Sequence, residues 1–113
     1  MSTISTHILD TSRGKPANGV AVYLETQGLE ETWSQLTHAW TDDEGRVKPF
    51  FLLEEPLPAG TYRLTFETAS YFESHGAVAF FPSVQITFAA NAAEHYHVPV
   101  LLSPFAYSTY RGS

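Results

Sequence analysis

Short runs in which apolar and polar residues alternate, separated by stretches rich in Gly and Pro, recur along the whole chain. Alternation of period two is the mark of strands that bury one face. In Thr3–Asp10, Ile4, Thr6 and Ile8 fall on one face and Ser5, His7 and Leu9 on the other. Val20–Thr26 turns Val20, Val22 and Leu24 inward, Thr61–Thr68 turns Tyr62, Leu64 and Phe66, and Ser83–Ala89 turns Val84, Ile86 and Phe88. Thr32–Thr41 fits two patterns. Trp33, Leu36 and Trp40 have helical spacing, but the Thr and Trp content and the neighbouring strands predict a strand. Val47–Leu53 reads as a further strand, and Ala69–His75 as a short helix closed by Gly76. Between them lie the loops Thr11–Gly19, Gln27–Glu31 and Glu54–Gly60, and an acidic turn, Asp42–Gly45, where Gly45 supplies a positive φ.

The final stretch, Glu94–Ser113, carries the most chemistry. As a strand it puts His95 and His97 on one face and Tyr96, Val98, Val100 and Leu102 on a core face. Ala90–Ala93 is short enough to join it to Ser83–Ala89 as a hairpin. Pro99 lacks an N–H and calls for an edge position or a bulge. The ending, with Tyr107, Tyr110 and Arg111, reads as docked rather than frayed. About seven or eight strands with one short helix predict an antiparallel β-sandwich.

At 113 residues, 1–113 is a single domain that can bury a core without staples. There is no cysteine, so disulfides and thiolate metal sites are excluded. A net charge of −6 argues against non-specific nucleic-acid binding. Only 16% of residues are charged while aromatics are plentiful, which points to a subunit interface. No apolar run approaches a membrane span, and the N-terminus lacks the pattern of a signal peptide. The Arg111-Gly112-Ser113 end is not a peroxisomal address. The expectation is a cytoplasmic chain with no membrane partner. Phosphate loops, HExxH and GxSxG are absent, which removes nucleotide hydrolysis and serine-esterase chemistry as leading readings.

Taken singly, the candidate residues are ambiguous. His7 beside small and apolar neighbours reads as a structural histidine, His38 as an exposed strand residue, and Arg46 after a tight turn as a surface charge. Arg46 gains interest only if something anionic or carbonyl-bearing lies opposite it. Together they carry a resemblance. Ser5-Thr6-His7-Ile8-Leu9-Asp10, Gly14-Lys15-Pro16-Ala17, Thr41-Asp42 through Gly45-Arg46, His95-Tyr96-His97-Val98-Pro99 and Tyr107 through Ser113 resemble the 5-hydroxyisourate hydrolases, transthyretin-like proteins of purine degradation. The resemblance spans essentially the whole chain. Its most specific parts are the terminal YRGS and the upstream HYHVP. Glu44 stands where the family usually places Asp before Gly-Arg.

The resemblance implies a transthyretin-type sandwich of seven to eight strands, assembled as a homotetramer, a dimer of dimers with sites in the channel between dimers. It implies hydrolysis of 5-hydroxyisourate to 2-oxo-4-hydroxy-4-carboxy-5-ureidoimidazoline without cofactor or metal. It makes His7, Arg46 and His97 the catalytic set. His7, Arg46, Tyr110, Arg111 and Ser113 bind substrate, and His95 has a supporting role. The residue types suit the reaction. Histidine can activate water near neutrality, so activity is expected to fall as pH drops through about 6.5. Arginine can stabilise charge developing on a carbonyl oxygen. Two other readings compete: a non-catalytic carrier of small ligands, and a zinc site built from His7, His95 and His97.

Overall fold

A computed structural model describes residues 2–47, 51–53, 58–91 and 94–112. Two sheets face each other. The first holds β1 (Ser2–Asp10), β2 (Lys15–Pro16), β5 (Phe51–Leu53), β8 (His95–Ser103) and β9 (Ala106–Thr109). Its order is β2-β1-β8-β9, with β5 also pairing β1. The second holds β3 (Ala21–Gln27), β4 (Trp33–Trp40), β6 (Gly60–Phe66) and β7 (Val84–Ala90), in the order β4-β3-β6-β7. The sandwich follows from the alternation. Ile4, Ile8, Val98, Val100 and Leu102 of one sheet and Val22, Leu24, Leu64, Phe66, Val84 and Ile86 of the other bury against each other in one core. The helix α1 (Thr68–Ser74) adds Tyr71 and Phe72 to that core, and Gly76 follows it at a φ of 73°.

The end of β1 is tied to this helix. Asp10 is buried and accepts hydrogen bonds from the Ser12 N–H at 3.0 Å and the Tyr71 hydroxyl at 2.7 Å. Burial pushes its pKa up, but the hydrogen bonds from Ser12, Tyr71 and Arg13 outweigh burial and hold the carboxyl below its ordinary value.

The structure departs from the sequence reading in its connections. β7 and β8 do not form a hairpin: β7 pairs with β6, and β8 crosses to the other sheet. There it runs parallel to β1, from Thr3↔His95 to Asp10↔Leu102, so the sandwich is not wholly antiparallel. A short connection serves an arch between sheets as well as a hairpin, and no Gly follows Ala90 to impose a hairpin turn. The arch is fastened by Tyr96, whose hydroxyl accepts from the Asn91 N–H at 2.6 Å and whose ring lies 6.1 Å from Phe88 across the sandwich. The final stretch is two strands, β8 and β9, turning at Pro104-Phe105. β2 lies inside a segment read as loop. Of the strand expected over Val47–Leu53, residues 48–50 lie outside the described residues, as do 54–57 of the following loop and 92–93 of the β7–β8 connection.

Pro99 sits neither at an edge nor in a bulge but in a central strand. The β8–β9 register runs from Ser103↔Ala106 to Val100↔Thr109 and resumes at the bridge His97↔Gly112. Pro99 falls in the interruption, opposite Tyr110, where it has no N–H to give to β9. Its carbonyl accepts instead from the Thr109 hydroxyl at 2.8 Å.

Candidate active site

The parallel pairing of β1 and β8 builds the site. It sets Thr3 beside His95, Ser5 beside His97, and His7 beside Pro99. Because side chains alternate, these odd-numbered residues share the face away from the core. Ile4, Thr6, Ile8, Tyr96, Val98 and Val100 take the buried face.

Arg46 arrives from a distant turn. Asp42 organises that turn: its Oδ1 accepts the N–H groups of Glu44 at 2.9 Å and Arg46 at 3.0 Å, and its carbonyl accepts the N–H of Gly45 at 2.9 Å. Gly45 has a φ of 75°, and a Cβ there would stand 2.4 Å from the Ile8 carbonyl oxygen. This close approach lets the Ile8 N–H donate to the Gly45 carbonyl at 2.8 Å and lets Arg46 bridge to His7. Arg46 and His7 are both half-buried.

His97 is the most tightly framed of the three. Its Nδ1 lies 2.7 Å from Ser5 Oγ, a hydroxyl that is itself buried. Its backbone carbonyl accepts the Gly112 N–H at 2.8 Å, which ties the tail to β8. Burial, and then the positive charges of Arg46, His95 and His7, hold its pKa below the ordinary histidine value of 6.5.

On the core side of the sheet, at the strand that carries His97, lies a pocket of about 220 Å3 lined by Ile86, Phe88, Tyr96 and Val98 and by Tyr110 and Arg111 of the tail. Tyr110 is exposed. Arg111 is engaged on the Tyr96 side: its guanidinium stands 4.9 Å from the Tyr96 ring centre and 3.8 Å from the Glu94 carboxylate. The Tyr96 hydroxyl donates to the same carboxylate at 2.6 Å, which pushes the Tyr96 pKa up. The fold thus brings His7, Arg46 and His97 together on the outer face and engages Arg111 on the Tyr96 side of the sheet. Ser113 lies outside the described residues. His38 is elsewhere, stacked on Tyr23 and edge-on to Trp40, and His75 closes the helix with its Nδ1 3.0 Å from the Tyr71 carbonyl.

Two residues at the site, Ser5 and Asp42, lay within the resembling motifs without a role of their own, and Gly112 was expected only as part of the tail near the site. Ser5 was placed on the correct face, but its link to His97 depends on β1 and β8 being neighbours in parallel register. Asp42, as the anchor of the Arg46 turn, was legible in the Asp-x-x-Gly-Arg spacing. The resemblance put Gly112 in the tail near the site, but its role there is the absence of a side chain beside His97. No three His, Cys, Asp or Glu side chains among the described residues are grouped so as to hold a metal ion.

Comparison with known proteins adds the family. The family model described as HIUase/Transthyretin matches residues 4–112. The chain belongs to that family. It is 48% identical over 111 residues to a 5-hydroxyisourate hydrolase of Salmonella dublin, covering 97% of this chain and 80% of that protein. Among solved structures, 5-hydroxyisourate hydrolase of Klebsiella pneumoniae superposes with a TM-score of 0.86 at 44% identity, covering all of both chains. Sea bream transthyretin in complex with thyroxine superposes with a TM-score of 0.90 at 30% identity, covering 97% of this chain and 94% of that one. The fold is therefore common to the hydrolases and the transthyretins of the family. Sequence identity is higher to the hydrolases.

Proposed function

We propose that this chain hydrolyses 5-hydroxyisourate to 2-oxo-4-hydroxy-4-carboxy-5-ureidoimidazoline, a step of urate degradation. The observation that carries the reading is the meeting of His7, Arg46 and His97, from three distant segments, on the outer face of β1 and β8. The names of the relatives supply the substrate.

The reaction opens a cyclic amide. Water adds to a ring carbonyl, the C–N bond breaks, and a carboxyl group and an N–H are left. His97 removes the water proton as general base. Its lowered pKa keeps it neutral, and so competent, at physiological pH. His7, on the adjacent strand, polarises the substrate or relays the proton to the leaving nitrogen. Arg46 stays cationic and stabilises the charge that builds on the carbonyl oxygen. The outer face around His7, Arg46 and His97 receives the heterocycle. Tyr110 of the tail offers a hydroxyl and a ring, and Arg111 and Ser113 complete the tail around the substrate.

The assembly in this reading is a homotetramer, a dimer of dimers, and the compartment is the cytoplasm. Both β7 and β9 end their sheets at open edges, which supports pairing with further copies. No helix among the described residues is long and apolar enough to cross a membrane.

The test is to mix the purified protein with freshly generated 5-hydroxyisourate and follow its absorbance. The hydrolase reading expects decay far faster than the spontaneous rate. A carrier of small ligands would bind the compound and leave its decay rate unchanged.

A further inference from the structure

Two side chains that the proposed mechanism does not use, Ser5 and His95, form a line with His97. Ser5 Oγ is 2.7 Å from His97 Nδ1 and 3.4 Å from His95 Nε2. His95 Nδ1 is in turn hydrogen-bonded to the Thr3 hydroxyl. The line exists because β1 and β8 are parallel, with Thr3 beside His95 and Ser5 beside His97. Its inner member, Ser5, is buried, and its outer member, His95, is exposed.

A serine hydroxyl has one proton to donate and lone pairs with which to accept. With the Ser5 proton kept within the line, two directions of hydrogen placement satisfy it. In the first, His97 Nδ1–H donates to Ser5, the Ser5 O–H donates to His95 Nε2, and His95 Nδ1–H donates to Thr3. That direction leaves His97 Nε2 without a proton, as a base requires. In the second direction every donor is reversed, and His97 Nε2 carries the proton.

We propose that Ser5 is a positioning residue that sets the tautomer of His97, and that His95 is the solvent-side terminus of a proton relay running through Ser5. The proposal rests on the hydrolase reading for its catalytic consequence but not for its tautomer. The transfer balances. His97 Nε2 takes a proton from water, His97 Nδ1 gives its proton to Ser5 Oγ, and the Ser5 hydroxyl proton passes to His95 Nε2. His97 ends neutral with its proton on Nε2, Ser5 is unchanged, and His95 carries the positive charge. His95 is exposed and can release that charge to solvent. The line therefore spares the site a cation next to Arg46, where a charged His97 would be disfavoured. The charged and titratable groups acting on His97 are Arg46, His95 and His7.

The experiment labels the histidine rings with 15N and reads the protonation of each His97 nitrogen by long-range NMR correlation, alongside steady-state kinetics and a pH profile. Wild type should show His97 protonated at Nδ1 with Nε2 free. Ser5→Ala should move the proton toward Nε2, lower kcat on the order of tenfold, the scale for losing a partner that orients a histidine, and leave KM little changed. Ser5→Thr, which restores the hydroxyl, should return both. His95→Gln can still accept from Ser5 but cannot carry the proton onward. It should keep the His97 tautomer and lower kcat. Circular dichroism and thermal melting identify any variant that has not folded, and Ser5→Thr then carries the test. A Ser5→Ala ring with wild-type protonation, or a His95→Gln enzyme with wild-type kcat, would overturn the proposal. The NMR result stands even if the wild-type protein fails to hydrolyse hydroxyisourate, so the two failures are distinguishable.

Discussion

Gly112 lies against the ring of His97 so closely that a Cβ at that position would stand 2.5 Å from His97 Cδ2 and 3.2 Å from Pro99 Cγ. No real Cβ tolerates such an approach, so one of the two must move. The tail is held in place by the Gly112 N–H on the His97 carbonyl. The terminal residues thus act as a wall that fixes one side of the imidazole, while Ser5 holds the other through Nδ1.

Gly112→Ala should therefore damage the site more than the fold. The ring must shift by a fraction of an ångström or more, and misplacement of about 1 Å costs roughly a hundredfold in rate. The expected result is a large loss of kcat with a melting temperature close to wild type, measured by steady-state kinetics and calorimetry. An unimpaired kcat would show that the wall does not position His97.

Gly45→Ala should do the reverse. A Cβ there meets the Ile8 carbonyl oxygen at 2.4 Å, and the φ of 75° is unfavourable for any other residue. The backbone itself must give, so a stability loss of about 1–3 kcal/mol is expected. Urea unfolding would read it as a lower midpoint at unchanged m-value. Turnover should fall as well, because Gly45 delivers Arg46 to His7.

The effect of pH follows from what surrounds His97. Burial first, and then the positive Arg46, His95 and His7, lower its pKa. The neutral base persists below 6.5, so the acid limb of the wild-type pH–rate profile should lie below that value. Arg46→Gln removes one of the positive charges. The His97 pKa, followed by NMR titration, should rise toward 6.5 in that variant. A fall on losing Arg46 would contradict the electrostatic account.

Chelation should have no effect. Arg46 supplies a fixed positive charge for the developing oxyanion, so electrophilic help does not require a metal ion. Turnover measured before and after EDTA treatment should agree. Loss in EDTA that zinc restores would favour a metal site instead.

How much of this was legible in the sequence depended on whether the information was local. The alternation of Ile4, Thr6 and Ile8, of Val20, Val22 and Leu24, and of Tyr62, Leu64 and Phe66 was enough to place these strands and their buried faces. The helix before Gly76 and the positive φ at Gly45 were also local and also found. The partner of β8 was not local. Ala90–Ala93 is compatible with a hairpin or an arch, and the choice is made by β1, some ninety residues earlier, which takes β8 as its neighbour. From that pairing follow the Ser5–His97 contact, the central position of Pro99 and the entire outer face of the site. The resemblance named His7, Arg46 and His97 as a set, whereas periodicity alone left His7 a structural residue and Arg46 a surface charge, and put His97 with His95 on a face that was either a site or simply solvated. The resemblance put Gly112 in the tail near the site and Ser5 in a motif, but what each does was beyond both, because their roles are defined by what touches them.

The central claim is that His7, Arg46 and His97 act as one catalytic unit. The most direct test is hydrolysis of freshly made 5-hydroxyisourate by the three single alanine variants and by the combined variant. Each single variant should lose roughly a hundredfold or more in turnover. The combined variant should lose little beyond the worst single one, because residues acting together fail together. His38→Ala, remote from the site beside Tyr23 and Trp40, should match wild type. Wild-type rates from His7→Ala and His97→Ala, with a loss in His38→Ala, would put the active site on the wrong face of the sandwich.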